Sequence, residues 1–378
     1  MHIPLRREHL SPMRDAEQRK RSSLKGTSMA IVRSQSSDTG EETGLSPITT
    51  LRDLSLASAV PAALRAAIQV GVADELGDTP VPVGRLATSL DVDPAVLGRL
   101  LHNLRAYGVF EETEEGIVHT ATSRLLREDD PQRLKYWVLW VTEPWVWDLW
   151  PDLGEAVSTG RGHFDEKYGA PFFTHLHKEW HESTEIFNKS QTELSRLTSV
   201  AIAEALDLSD VRTFADVGGG RGYTLATLLE KNPHLHGTLV DLPAAVAQPD
   251  PRLRPDGALA ARSQVTEGDC LEKIPVEADV YQFKSILEWD DDKTVTALRN
   301  AASAGRPGSR VLLITNLVDD SPEVKYATGI DLLFLLNTNG KRHTRKGVTA
   351  LVERAGLRIE SVRPIKPLLH VVEATVPE

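Results

Sequence analysis

The stretch Asp216-Val217-Gly218-Gly219-Gly220-Arg221-Gly222-Tyr223 holds the residues best suited to gripping a ligand. It follows an apolar run and opens a helical one. Glycines in such a bend let the backbone approach a bound molecule closely, and they leave unpaired helix N–H groups facing it. The loop reads G-x-G-x-G rather than the dinucleotide pattern G-x-G-x-x-G, and no G-K-[ST] accompanies it, which excludes the nucleotide-triphosphate loop. Two carboxylates follow at matching places. Asp241 ends Leu239-Val240-Asp241-Leu242-Pro243, 23 residues after Gly218. A carboxylate there can accept hydrogen bonds from two ribose hydroxyls. Asp269, in Gly268-Asp269-Cys270, stands where a carboxylate can accept from an exocyclic adenine amine. Each feature alone fits a capped turn. Together, at three successive strand ends, they point to an adenosyl ligand in the crevice at the carboxyl edge of a sheet.

The elements that would hold these residues are legible from periodicity. Apolar runs at Thr213–Val217, Gly237–Val240, Ala278–Phe283 and Val311–Thr315 read as strands, with a last pair near Leu357–Val362 and Leu368–Ala374. The stretches Tyr223–Glu230, Thr294–Ala304 and Thr344–Ala355 between them read as helices. This alternation predicts a mostly parallel sheet with helices on both faces. Upstream, Leu54, Ala57, Leu64, Ile68, Val72 and Leu76 recur at helical steps, and Gly77-Asp78 breaks the run. Two short helices, Pro82–Leu90 and Pro94–Tyr107, precede a hairpin built from Val109-Phe110 and Ile117-Val118, a winged-helix pattern. The division expected is a disordered tail over 1–45, a winged-helix-like domain over 46–130, a helical linker and pocket segment over 131–200, and a ligand-binding domain over 201–378.

Composition limits the function. With 378 residues, 40% hydrophobic and 26% charged, the chain has ample material for a core. The net charge of −11 and a wing tip reading Glu111-Glu112-Thr113-Glu114-Glu115 oppose contact with nucleic acid phosphates. A single cysteine, Cys270, allows no intrachain disulfide and fits a reducing compartment. No apolar run approaches the roughly 18 residues of a membrane helix. The expectation is therefore a cytoplasmic protein with a small-molecule partner, and with neither nucleic acid nor membrane. The N-terminal apolar helices lack an obvious partner within the chain, so a homodimer is expected. The histidines hold no metal spacing, so no metal is expected.

Six of the seven tryptophans lie between residues 134 and 182. They read either as core between helices or as a wall for a flat substrate. Trp137, Trp145 and Phe172, with Phe334 and Asn337 further on, are the candidate wall positions.

The series DVGGGRG, LVDLP, EGDC, Lys284–Trp289 and Gly305–Leu313 resembles the S-adenosylmethionine-dependent O-methyltransferases of the plant caffeate and bacterial polyketide type, over about residues 50 to 375. The resemblance implies a class I Rossmann-like α/β fold, a helical winged-helix dimerisation domain, and S-adenosylmethionine or S-adenosylhomocysteine as cofactor. It implies cofactor contacts at Asp216, Gly218, Gly220, Asp241, Leu242, Asp269, Cys270, Lys284 and Ser285, and a place for Asn188 in the cleft between cofactor and acceptor. Plant-type members use a histidine before Asp-Trp, held by two acids. Here that segment is one residue shorter, with Glu288 at best in the histidine's place, and Thr315 and Arg342 stand where the acids belong. This departure resembles the anthracycline-tailoring branch, which holds a carminomycin-type O-methyltransferase and an aclacinomycin-type hydroxylase that keeps the methyl group on its cofactor. Glu288 reads as a base, which needs its proton affinity raised by burial, or as a surface cap of the helix that follows. His343 reads as a distant base or as an exposed loop histidine. Two activities remain open: methyl transfer to an aromatic, polyketide-like molecule, mainly by proximity, or hydroxylation, decarboxylation or cyclisation with an unconsumed cofactor.

Overall fold

The computed structural model describes residues 46–378, so the tail expected over 1–45 lies outside the described residues. Among the described residues nine strands form a two-stranded hairpin and one seven-stranded sheet. The hairpin joins β1 (Phe110–Thr113) to β2 (Gly116–His119). The sheet contains β3 (Thr213–Val217), β4 (His236–Asp241), β5 (Ser263–Glu267), β6 (Val280–Lys284), β7 (Arg310–Thr315), β8 (Arg358–Ile365) and β9 (Leu369–Thr375). Its order is β5-β4-β3-β6-β7-β9-β8, parallel from β5 to β7 and antiparallel at β9 and β8.

The three central strands are buried almost throughout, which is why each reads as an unbroken apolar run. Side chains alternate between two cores. Phe214 packs with Leu225, Leu228 and Leu229 of the helix Tyr223–Lys231, while Ala215 and Phe283 pack with Leu298 and Val352 on the other face. From β3 the chain winds outward to β5 and then returns to β6 beside β3. The crevice that this reversal opens lies beyond the carboxyl ends of β3 and β6, next to the glycine loop.

The N-terminal helices differ from the single run expected. They are Pro47–Ser55, Ala59–Gln69 and Val72–Glu75, the last pair separated by Gly71 at φ +81°. The winged-helix pair is Val83–Ser89 and Pro94–Ala106. Asp93 caps the second, accepting from the Val96 amide at 2.8 Å with Pro94 at the first helical position, a cap worth about 1 kcal/mol. Leu86, Leu97, Leu101, Leu104, Phe110 and Ile117 form the core of this part. Further helices over 135–179 lead into the 25-residue helix His181–Ala205, which packs on the helices Lys135–Val141 and Tyr223–Lys231. The helix Val324–Thr338 packs on the short helices between residues 144 and 168. Among the described residues no helix is long and apolar enough to cross a membrane.

Candidate active site

The glycine loop leaves β3 with Gly218, Gly220 and Gly222 at φ of +68°, +60° and +81°. These values are in the left-handed region that a Cβ disfavours. Their surroundings differ. A Cβ at Gly218 would collide with the Ile286 side chain, whereas one at Gly220 meets open space. Gly220 thus presents bare backbone to the crevice. Its amide donates to Asp241 Oδ2 at 2.7 Å, and the Leu242 amide donates to Asp241 Oδ1 at 2.7 Å. One carboxylate ties the glycine loop to the end of β4, and each of its oxygens keeps a lone pair for a ligand hydroxyl. Burial raises Asp241 above the ordinary carboxylate range against the pull of these two amides, and Asp269 pushes the same way.

Asp216 sits beneath the loop, 1% exposed. Its Oδ1 accepts from Gln282 Nε2 at 2.8 Å, and its Oδ2 has no partner. Burial pushes its pKa up to about 6, and the Gln282 donor and the Lys284 ammonium act in the opposite direction. A buried carboxylate oxygen left unpaired is costly in isolation and suited to a ligand that brings positive charge. Lys284 ends β6. Its ammonium donates to Ser195 Oγ at 3.1 Å, on the long helix, and burial lowers its pKa against the pull of Asp216 and Glu288. Ser285 follows at φ +54°, rare for a residue with a Cβ, and starts the loop that carries Glu288. Asp269 Oδ1 accepts from the Leu271 amide at 2.8 Å. The Cys270 thiol is buried and pushed up to about 12, first by burial and then by Asp269 and Asp241, so it stays neutral. The donor set fits an adenosyl sulfonium: an open backbone cradle at Gly220, a buried carboxylate beneath the loop, and acceptors at the tips of β4 and β5.

On the acceptor side two expectations are corrected. Glu288 is not a surface cap: it is 7% exposed, with Oε1 3.4 Å from Arg342 Nη1 and 3.5 Å from Thr315 Oγ1. The cap of the following helix is Asp290, which accepts from the Asp292 and Lys293 amides at 3.1 and 2.9 Å. His343 is not an exposed loop histidine either: it is 3% exposed, and its Nε2 donates to the Leu287 carbonyl at 2.6 Å. Burial lowers its pKa, leaving a neutral ring whose Nδ1 has no partner. Arg342 lies within cation–π range of Phe334 and Tyr326, at 5.5 and 6.0 Å, and the Tyr326 ring is 5.9 Å from Trp137. Asn337 is buried with Oδ1 unpaired, and Asn188 is buried on the long helix. Trp145 and Phe172 lie inside the aromatic core with Trp140, Phe164 and Leu176, their two rings 5.2 Å apart. Trp137 and Phe334 are only partly buried, and Trp137 packs at the margin of that core.

Several contributors were not legible in the sequence. Ser195 carries no signal beyond its place on a helix, and Tyr326 lies on a helix that periodicity did not reveal. Arg342 was visible as a departure from an acid, but its pairing with Glu288 and its place against Phe334 and Tyr326 were not. Glu193 is a further one. It is 1% exposed, and its Oε2 accepts from the Trp137 amide at 3.0 Å, capping the helix Lys135–Val141 from the long helix. Its neighbours in sequence, Thr192, Leu194 and Arg196 among them, give no sign that it is buried. Among the described residues no group of three or more His, Cys, Asp or Glu gathers to hold a metal.

This crevice, on this sheet order and beside a winged-helix segment, defines a class I methyltransferase with a dimerisation domain. A family model for an O-methyltransferase domain matches residues 150–358, and one for an O-methyltransferase dimerisation domain matches residues 52–129. A mitomycin biosynthesis 6-O-methyltransferase from Streptomyces lavendulae is 34% identical over 80% of this chain and 86% of its own length. The aclacinomycin 10-hydroxylase RdmB of Streptomyces purpurascens is 33% identical over 80% and 82%. The crystal structure of NcsB1, an O-methyltransferase from neocarzinostatin biosynthesis solved with S-adenosylmethionine and 2-hydroxy-5-methyl naphthoic acid, superposes with a TM-score of 0.71. It is 27% identical and covers 84% of this chain and 96% of its own. The chain belongs to the O-methyltransferase family and is an S-adenosylmethionine-dependent methyltransferase.

Proposed function

We propose that this enzyme methylates an oxygen of an aromatic, polyketide-like molecule in secondary metabolism. The observation that carries this reading is the glycine loop at the switch point of the sheet: a Cβ at Gly220 would meet open space, the Gly220 amide is tied to Asp241 at the end of β4, and Asp216 lies buried beneath the loop. When bound, S-adenosylmethionine supplies an electrophilic methyl group on a positively charged sulfur. The family membership and the chemistry of the relatives, methyltransferases of antibiotic pathways among them, support the acceptor class.

In this reading Asp241 and Leu242 bind the ribose, Asp269 and Cys270 flank the adenine, and Asp216, Gly218, Gly220, Lys284 and Ser285 line the methionine end. Trp137, Phe334, Asn337 and Asn188 orient the acceptor ring. Trp145 and Phe172 support that wall from behind. Glu288 and His343 are the groups near the reacting oxygen able to take a proton. Glu288 is engaged by Arg342, and His343 spends Nε2 on a carbonyl. Positioning therefore carries most of the rate, and holding reactants in attack geometry can itself supply about 7–11 kcal/mol of a barrier. The division at residues 46–130, 131–200 and 201–378 assigns subunit pairing, acceptor wall and cofactor binding to successive parts. We place the enzyme in the cytoplasm as a homodimer.

The test uses methyl-labelled S-adenosylmethionine and a panel of polyhydroxylated aromatic acceptors. Labelled O-methyl product with equimolar S-adenosylhomocysteine is the expected result. Turnover of an acceptor with the label still on the cofactor would replace this reading with the hydroxylase-like one. An unconsumed cofactor with no altered acceptor across the panel would refute both.

A further inference from the structure

The charges at the cleft form a continuous row. Asp216 faces Lys284, and Lys284 feels Glu288. Glu288 meets Arg342 at 3.4 Å, and Arg342 lies against the Tyr326 and Phe334 rings on the way to Trp137. Arg342 is the unusual member. Its side chain is 8% exposed, so its charge is largely out of water. A buried guanidinium ordinarily has its donors satisfied. Here Nη1 has one long contact to Glu288, while Nε is buried with no acceptor. Burial raises the Tyr326 hydroxyl above its ordinary range, and the Arg342 guanidinium pulls it back, which places the two groups side by side.

The unfilled edge has a recognisable partner. Elsewhere in this chain the same edge, Nε with Nη2, clasps a carboxylate at both oxygens: Arg127 on Asp129 at 2.8 and 2.7 Å, and Arg252 on Asp250 at 2.9 Å twice. The planar fork matches a carboxylate in two parallel bonds. At Arg342, Nε has no acceptor among the described residues, and the Tyr326 hydroxyl lies beside the guanidinium. The Phe334 and Tyr326 rings flank this guanidinium at 5.5 and 6.0 Å.

We propose that Arg342 recognises a carboxylate borne on the acceptor's aromatic ring, and that the preferred acceptor is an aromatic hydroxy acid. This rests on the methyltransferase reading above and adds the acceptor's charge to it. Glu288 is then a competitor for the same cation: it holds the guanidinium in place and loosens it when the acceptor enters. Arg342 selects against neutral analogues because a buried donor left unpaired penalises the wrong ligand.

The experiment is calorimetry on the full chain saturated with S-adenosylhomocysteine. The probes are a hydroxynaphthoic acid, its primary amide and the parent naphthol. The acid is expected to bind at least about ten-fold tighter than the amide, and Arg342→Gln to bring the two within about two-fold of each other. Glu288→Gln removes the competitor and is expected to shift the acid's affinity the other way, tightening it several-fold, a result that a misfolded variant would not give. Equal binding of acid and amide, a preference that survives Arg342→Gln, or failure of the wild-type chain to take up the acid overturns the proposal. Uptake of S-adenosylhomocysteine is measured first in each protein. Its failure in the wild type counts against the methyltransferase reading, whereas uptake without acid preference counts against Arg342 alone.

Discussion

The glycine loop shows how residues of one type take different roles from their surroundings. Gly218→Ala places a methyl group into Ile286, and Gly220→Ala places one into the open crevice. Both pay the left-handed φ cost of about 1–2 kcal/mol. Gly218→Ala is therefore expected to lower the melting temperature markedly more than Gly220→Ala. Gly220→Ala is expected to weaken S-adenosylhomocysteine binding beyond what its modest stability loss explains. Paired thermal and calorimetric titrations check this, and equal melting temperatures would remove the distinction. Asp216 gives a pH prediction. Its folded pKa, about 6, lies above the unfolded value of 3.8. Between these values the folded chain holds a proton that the unfolded chain has released, so stability falls as pH rises through that window and levels off above it. Ionised Asp216 is also the form suited to a positively charged ligand. Affinity for S-adenosylmethionine is thus expected to rise with pH through about 6, and Asp216→Asn to flatten both profiles. Asp216, Gly220 and Asp241 were legible because chemistry demands their types at strand ends. The environments of Glu288 and His343 were not. A loop sequence does not say which side chain turns inward, and only the approach of Gly340 to the Glu288 carbonyl shows how tightly residues 285–290 are covered.

Among the elements, legibility followed burial. β3, β6 and β7 have both faces covered and read as apolar runs, and the helix Tyr223–Lys231 shows one apolar stripe. β5 is an edge strand with no residue fully buried, and its sequence, Ser-Gln-Val-Thr-Glu, carries little hydrophobic signal. The helix Val324–Thr338 fails for the opposite reason: Leu332 to Leu336 is apolar on every side, so no period distinguishes a face. The contact between Glu193 and the helix Lys135–Val141 joins residues 56 positions apart, beyond any local pattern. Its consequence is testable. Burial raises Glu193 above the ordinary carboxylate range, and the Trp137 and Tyr136 amides pull it down. Glu193→Ala leaves those amides orphaned in the interior and is expected to cost about 1–3 kcal/mol of stability. Because the freed helix carries Trp137, KM for the acceptor is expected to rise while S-adenosylhomocysteine affinity stays within about two-fold. Glu193→Gln retains one acceptor oxygen and should fall between. An unchanged KM in the alanine variant would show that the cap serves stability alone.

For the whole molecule, the long helix His181–Ala205 joins the parts. Glu185 pairs with Arg221 of the glycine loop at 2.6 Å, Ser195 receives Lys284, and Ser199 meets Thr224 at 2.9 Å. Toward the N-terminal side, Ser183 donates to the buried Glu143 at 2.5 Å, and Glu143 in turn holds Arg65 at 2.9 Å. The glycine loop, the end of β6 and, through Glu143, the helix Ala59–Gln69 are therefore connected through one element, and pairing of subunits would brace that element from outside. The segment matching the family's dimerisation domain exposes Leu54, Leu56, Val96 and Tyr107, a costly arrangement for an isolated subunit at this density of large apolar side chains. Two-fold pairing is the commonest way to cover such a surface. Light scattering is expected to give twice the mass of one 41.6 kDa chain at micromolar concentration. Replacing Leu54 and Leu56 together by Glu puts two charges on the covered face and is expected to yield a monomer. That monomer should still bind S-adenosylhomocysteine, because the glycine loop and the tips of β4 and β5 lie wholly within residues 213–269. A wild-type chain that stays monomeric across the accessible concentration range would defeat the homodimer and leave the cofactor site untouched. A double variant that loses cofactor binding with its partner would show instead that the brace reaches the loop through the long helix.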